Sequence, residues 1–325
     1  MGKKVLIPQD ITEIGKKILI DNGYKVVIGS GFDEGTICRE CTDCDAIIIR
    51  TAKYTRRILE SAKNVKILAR YGIGVDNVDM EAANELGIWV TNSPRSSSNA
   101  VAEHTMLLML ACARNLGFYF KEYKENHNYA SRGKKKGTEL LGKTLAIIGL
   151  GRIGRTVAKK AYYGFDMKVI AYDPFVKAED MPEEIKLINS LDEILPQADF
   201  VTLHMPLLPE TNHMVNKDFL SKMKKTAILL NIARGAIVEE LDLIQALKDG
   251  IIAGAGIDVL EKEPPAVDNP LFAMDNVIIT PHNASMTKDA MDIMGEDAAQ
   301  SIMEVMSGNK PKWKVNNPEN PRIVN

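Results

Sequence analysis

The chain has 325 residues, of which 45% are apolar and 26% charged, with a formal net charge of −2. That length suffices for two ordinary domains, and the balance fits a soluble globular protein with sizeable cores rather than a disordered or fibrous one. The near-neutral charge offers no basic surface for nucleic acid, the start MGKKVLIPQD carries no signal-peptide apolar segment, and the longest apolar helical stretch, Met106–Ala113, is too short to span a bilayer, so the cytoplasm is the expected compartment.

Residues 3–91 alternate short apolar runs with helical stretches. The strand candidates are Val5–Ile7, Tyr24–Ile28, Ala46–Arg50, Ile67–Arg70 and Ile88–Thr91, with helical patterns such as Ile11–Asn22 and Thr55–Ala62 between them. Such alternation predicts a parallel sheet covered by helices. Cys38, Cys41 and Cys44 form C-x-x-C-x-x-C, a spacing that resembles metal ligation but has no fourth ligand nearby. A spacing of three also marks one face of a helix, so reduced buried thiols without a metal are the expectation.

A polar break, NSPRSSSN (92–99), precedes a long helix from Ala100 to about Phe120. That helix is apolar on nearly every side, which predicts broad burial, in part by another subunit. The polar, basic stretch 123–137 reads as a surface crossing.

The second α/β set begins with Leu145–Leu150 and continues with Val169–Tyr172, Phe200–Leu203, Ala227–Asn231, Ala253–Val259 and Val277–Thr280. Gly149, Gly151 and Gly154 form G-x-G-x-x-G where the first of these strands turns into a helix, and Asp173 closes the next strand. The glycines permit a tight turn, a close approach of pyrophosphate to the backbone, and close helix–strand packing. The helix N–H groups face the phosphate, and the carboxylate suits the ribose hydroxyls of NAD. The remaining strand ends carry His204-Met205-Pro206, Ala233-Arg234, Asp258 and His282. In a doubly wound sheet these ends share the ligand crevice. A last helix, Ser285–Met306, is expected to return to the first domain. The chain is thus read as two doubly wound parallel-sheet α/β domains: a flavodoxin-like substrate domain, 1–98 with 286–325, and a Rossmann-type NAD domain, 99–285.

Three residues carry the chemistry. Arg234 can grip a carboxylate or polarise a carbonyl with paired donors. His282 can exchange a proton near neutral pH, and Glu263 on its other nitrogen would fix the tautomer and favour the imidazolium. Together they suit reversible reduction of a 2-keto acid by NADH.

The segments YGIGVDNVD (Tyr71–Asp79), GLGRIG, LHMPLLPET (Leu203–Thr211), NIARG, DVLEKEP and PHNAS resemble the D-2-hydroxyacid dehydrogenase family along nearly the whole chain. The resemblance implies Arg234, Glu263 and His282 as the catalytic set, with Asp258 meeting the nicotinamide carboxamide. It implies that Arg152, Ile153, His204, Met205, Pro206, Thr211, Ile232 and Ala233 line the cofactor, and that the backbone at Ile73 and Gly74 binds the substrate carboxylate. It also implies a homodimer through the cofactor domains.

Within the family the chain most resembles the D-3-phosphoglycerate dehydrogenases, which implies 3-phosphoglycerate and 3-phosphohydroxypyruvate as the substrate pair and serine biosynthesis as the pathway. Arg50 and Arg70 would then bind the phosphate, with Arg132 supplied by a neighbouring subunit. Tyr129-Ala130 stand where many members have a tryptophan, and serine feedback through a C-terminal regulatory domain is not expected. Two alternatives stay open: a hydroxypyruvate, glyoxylate or other 2-keto acid reductase, and an NAD-sensing, corepressor-like interaction module on the same fold.

Overall fold

Runs of β-branched and aliphatic residues set the first sheet: β1 (Lys4–Ile7), β2 (Lys25–Ile28), β3 (Ala46–Ile49), β4 (Ile67–Arg70) and β5 (Trp89–Thr91). All pairings are parallel, in the order β2-β1-β3-β4-β5. The central strand β3, AIII, is buried along its whole length, as expected where helices cover both faces. The intervening helices are α1 (Glu13–Asp21), α2 (Glu34–Glu40), α3 (Arg56–Ser61) and α4 (Met80–Glu85). Asp33 and Asp79 cap α2 and α4 by accepting from the N–H groups of Thr36 and Ala82.

The structure, a computed structural model, describes residues 2–177, 179, 181–182 and 184–323. The chain divides into two compact units, Met1–Ser97 with Ser285–Asn325, and Ser98–Ala284. In the first, the C-terminal helix (Lys288–Met306) packs on α1 and β4. The tail beyond it is tied to β5: Val315 N–H donates to Val90, and the Asn316 side chain bonds Val90 N–H and the Ile88 carbonyl.

The second unit holds α5 (Ser98–Ala113), α6 (Leu116–Tyr119), β6 (Thr144–Ile148), α7 (Arg152–Phe165), β7 (Lys168–Tyr172), β8 (Ile185–Leu187), α8 (Leu191–Ile194), β9 (Phe200–Leu203), α9 (Lys217–Ser221), β10 (Ile228–Asn231), α10 (Glu240–Lys248), β11 (Gly254–Ile257) and β12 (Val277–Ile279). Its seven-stranded parallel sheet runs β12-β11-β10-β9-β6-β7-β8. The order reverses between β6 and β9, the position at which doubly wound sheets open a crevice for ligands. Both units are therefore the parallel-sheet α/β folds anticipated.

Two local expectations need correction. The helix expected to continue from Ala100 to Phe120 ends at Ala113. Asn115 takes a left-handed conformation (φ 50), and the chain resumes as α6 and a wide turn, Phe120–Glu125. Asparagine tolerates that conformation, and its side-chain amide bonds the Lys136 carbonyl, so the polar residue stops what the apolar pattern would have continued. The seventh strand, β8, was not anticipated: its sequence IKL carries the exposed Lys186 at its centre, which breaks the apolar run.

All four cysteines are free. Cys38 lies on α2, while Cys41 and Cys44 are buried in the core of the first unit. Burial pushes their thiols up, to about 11 for Cys41 and about 12 for Cys44, so both remain protonated at neutral pH.

Candidate active site

The cofactor loop follows from strand β6 and helix α7. Gly149 has φ +96, and a Cβ on Gly154 would stand 2.2 Å from the Gly149 carbonyl oxygen, so the turn closes only with glycine at both ends. Beside Gly151 nothing lies within 4 Å of where a Cβ would be, which leaves room for a pyrophosphate at the start of α7. Arg152 and Ile153 open that helix. Asp173 is pre-oriented: its Oδ2 accepts from Leu150 N–H at 2.7 Å and its Oδ1 from Phe175 N–H at 2.9 Å. Each oxygen retains acceptor capacity for a ribose hydroxyl. These features fit NAD.

Across the switch point, His204 N–H donates to Ile148 at 2.8 Å. The His204 Nε2 pairs with the Thr202 hydroxyl at 2.9 Å, and desolvation pushes the ring down to about 3, so it is neutral. The Thr211 hydroxyl closes the turn after Met205 and Pro206 by bonding the Pro206 carbonyl at 2.8 Å. Ile232 is buried, and Ala233 N–H is held by the Asn231 side chain at 3.1 Å.

Arg234, Glu263 and His282 line one pocket of about 170 Å³, together with Leu207 and Leu260. Gly235 makes the approach possible, since a Cβ there would meet the Leu260 carbonyl at 1.9 Å. His282 Nδ1 lies 2.7 Å from Glu263 Oε2, and Glu263 Oε1 accepts from Leu260 N–H at 3.1 Å. Burial works against ionisation of Glu263. The hydrogen bond and charge of His282, the Leu260 N–H and the Arg234 guanidinium outweigh it and hold the carboxyl below its usual range. With Nδ1 engaged, Nε2 is the imidazole nitrogen left to exchange a proton with a ligand.

His282 stands at φ +52, which a non-glycine residue keeps only when its surroundings insist. Asp258 provides that constraint. Its carbonyl accepts from His282 N–H at 2.7 Å, its Oδ1 from Asn283 N–H and its Oδ2 from Ala284 N–H, both at 3.0 Å. The Thr280 hydroxyl adds a bond to Oδ1 at 2.6 Å. Asp258, expected to meet the nicotinamide, also staples the loop that carries the histidine.

In the first unit, Arg50 and Arg70 both reach Tyr71. Arg50 lies over its ring at 5.5 Å and donates to the Asp10 carbonyl at 2.5 Å. Arg70 donates to the carbonyls of Gly74 at 2.7 Å and Tyr71 at 2.8 Å, closing the 71–74 loop on itself. The Ile73 carbonyl accepts from the Asn92 side chain. The N–H groups of Ile73 and Gly74 have no backbone partner among the described residues. Arg132 is exposed, after a short turn (Tyr129–Ser131) of the second unit.

The sequence reading did not single out Thr280, or His104 on α5, whose Nε2 lies 2.9 Å from the Thr280 hydroxyl. The available signal was a lone histidine within an otherwise apolar helix, which needs a partner when buried. His213 also went unnoticed. It sits between Glu239 (2.8 Å) and Glu261 (3.0 Å), and this is the one group with ligand-like spacing among the described residues. Both its ring nitrogens already face carboxylates.

A family model, "D-isomer specific 2-hydroxyacid dehydrogenase, NAD binding domain", matches residues 106–284. The D-3-phosphoglycerate dehydrogenase of Methanocaldococcus jannaschii is 42% identical over 323 residues, covering 98% of this chain and 60% of that protein. The chain thus spans about 60% of the length of such relatives. The hydroxypyruvate reductase of Thermotoga maritima is 37% identical over 304 residues, covering 93% of this chain and 97% of that protein. The structure of D-lactate dehydrogenase from Escherichia coli superposes with a TM-score of 0.84 at 28% identity, covering 96% and 100% of the two chains.

Proposed function

The chain belongs to the D-isomer specific 2-hydroxyacid dehydrogenase family, and from that premise we propose that it interconverts a D-2-hydroxy acid and its 2-keto acid with NAD. The observation that carries this reading is the 2.7 Å contact between His282 and Glu263 in the pocket that Arg234 also lines. A bound nicotinamide supplies hydride exchange with the substrate carbon. Gly149, Gly151, Arg152 and Asp173 hold the pyrophosphate and ribose ends of that cofactor. Arg234 grips the acid and polarises its C2 oxygen. His282, as imidazolium, gives that oxygen a proton from Nε2 during reduction and takes it back during oxidation, while Glu263 keeps the proton-bearing ring oriented.

For the substrate we assign 3-phosphoglycerate and 3-phosphohydroxypyruvate, with Arg50 and Arg70 as the cations for the phosphate, the Ile73 and Gly74 N–H groups for the carboxylate, and Arg132 as a contribution from a second copy. A smaller acid such as hydroxypyruvate or glyoxylate is the second reading. It is favoured by Arg70, whose guanidinium bonds its own loop carbonyls. Exposed Leu107, Leu116, Phe120, Tyr123 and Tyr129 on and after α5 support a homodimer through this unit. No described helix is long and apolar enough to cross a membrane, and we place the protein in the cytoplasm. Steady-state turnover with a panel of 2-keto acids and NADH tests the reading. No turnover of any of them, with NADH still bound, would favour the sensing module instead.

A further inference from the structure

We infer that His104 is a positioning residue for the loop that carries His282, acting through the Thr280 hydroxyl on Asp258. The inference rests on His282 being the proton donor. The direction of each bond follows from the groups themselves. A carboxylate only accepts, so across 2.6 Å the Thr280 O–H donates to Asp258 Oδ1. The Thr280 oxygen is then an acceptor toward His104, whose Nε2 at 2.9 Å carries the hydrogen. The same nitrogen lies 3.5 Å from Asp258 Oδ1, and the two side chains are 13% and 1% exposed.

This is a directed chain, His104 to Thr280 to Asp258, in a site where each bond polarises the next. Its last member holds the N–H groups of Asn283 and Ala284 and, through its carbonyl, that of His282. Without the His104 donor the Thr280 hydroxyl is less polarised and its bond to Asp258 weakens. The carboxylate keeps its two backbone donors, Asn283 and Ala284, but its side-chain bond on Oδ1 weakens, and the left-handed turn at His282 loosens. The histidine would still bind Glu263 but would meet the substrate oxygen less often in line.

The test uses the full chain with NADH and the 2-keto acid it turns over fastest. His104→Phe keeps the ring volume and removes the donor; kcat should fall on the order of tenfold, less than the roughly hundredfold that a full 1 Å misplacement can cost, with KM for NADH unchanged. His104→Gln, which places an N–H near the position of Nε2, should restore most of the loss. Thr280→Val should cost as much as His104→Phe, and the double variant no more than either. Wild-type kcat in His104→Phe, a Gln variant no better than Phe, or a raised KM for NADH at constant kcat would overturn the positioning role. Should His104→Phe fail to fold, Thr280→Val against Thr280→Ser makes the same comparison, and equal losses in both overturn it. His282→Asn belongs in the series. If it is inactive beside an unaffected His104→Phe, only the positioning role fails; if it is as active as wild type, the proton-donor reading fails and the inference with it.

Discussion

Replacing Glu263 by glutamine keeps an oxygen for His282 Nδ1 but removes a charge, which separates orientation from electrostatics. The carboxylate is held below its usual range in part by His282. A carboxylate on Nδ1 attracts a positively charged ring, and a glutamine oxygen does so far less. The contact is 2.7 Å, and the side chains are 50% exposed for His282 and 38% for Glu263, so water screens much of the attraction. Two unit charges with centres roughly 4 Å apart attract by about 1 kcal/mol in bulk water and about 4 at a protein surface, and for so exposed a pair about 0.2–1 kcal/mol remains. Keto-acid reduction needs the imidazolium, so in Glu263→Gln the alkaline limb of kcat/KM for reduction should move to lower pH, with activity retained below it. Oxidation needs the neutral ring and should gain activity at lower pH. Initial rates in both directions across the pH range, in one mixed buffer of constant ionic strength, decide it. A wild-type profile in the variant would refute the electrostatic coupling. A uniform loss at every pH would show that only orientation matters.

His282→Asn should lower turnover by roughly 10²–10⁴-fold, the usual contribution of a general acid, while NADH affinity measured by fluorescence titration stays nearly unchanged; a large loss of NADH affinity would contradict the assignment. Wild type should prefer NAD to NADP. Asp173→Asn should narrow that preference on the order of tenfold by removing a charge that repels a 2′-phosphate, and an unchanged ratio in steady-state kinetics would take the ribose site away from Asp173. Arg50→Ala or Arg70→Ala should raise KM for phosphohydroxypyruvate far more than for glyoxylate, which has no far end to grip. Equal effects on both acids, or a wild-type preference for the unphosphorylated one, would leave the smaller-acid reading in place.

The sequence by itself determined the two parallel sheets and the cofactor loop. Apolar runs of strand length, with turn residues between them, are local features written into consecutive positions, and the Gly149–Gly154 spacing is dictated by a turn of six residues. It also singled out Arg234, Glu263 and His282, which line one pocket, because each follows a strand in a fold whose strand ends share a crevice. The tertiary structure alone decided what their neighbours do. The stop at Asn115 depends on a carbonyl 21 residues away, and the His104–Thr280 contact spans 176 residues. The bonds of Asp258 to the His282 loop and of Arg70 to its own loop carbonyls share one cause: a polar group within the fold takes the partners that the packed chain presents. Period and composition do not encode that choice.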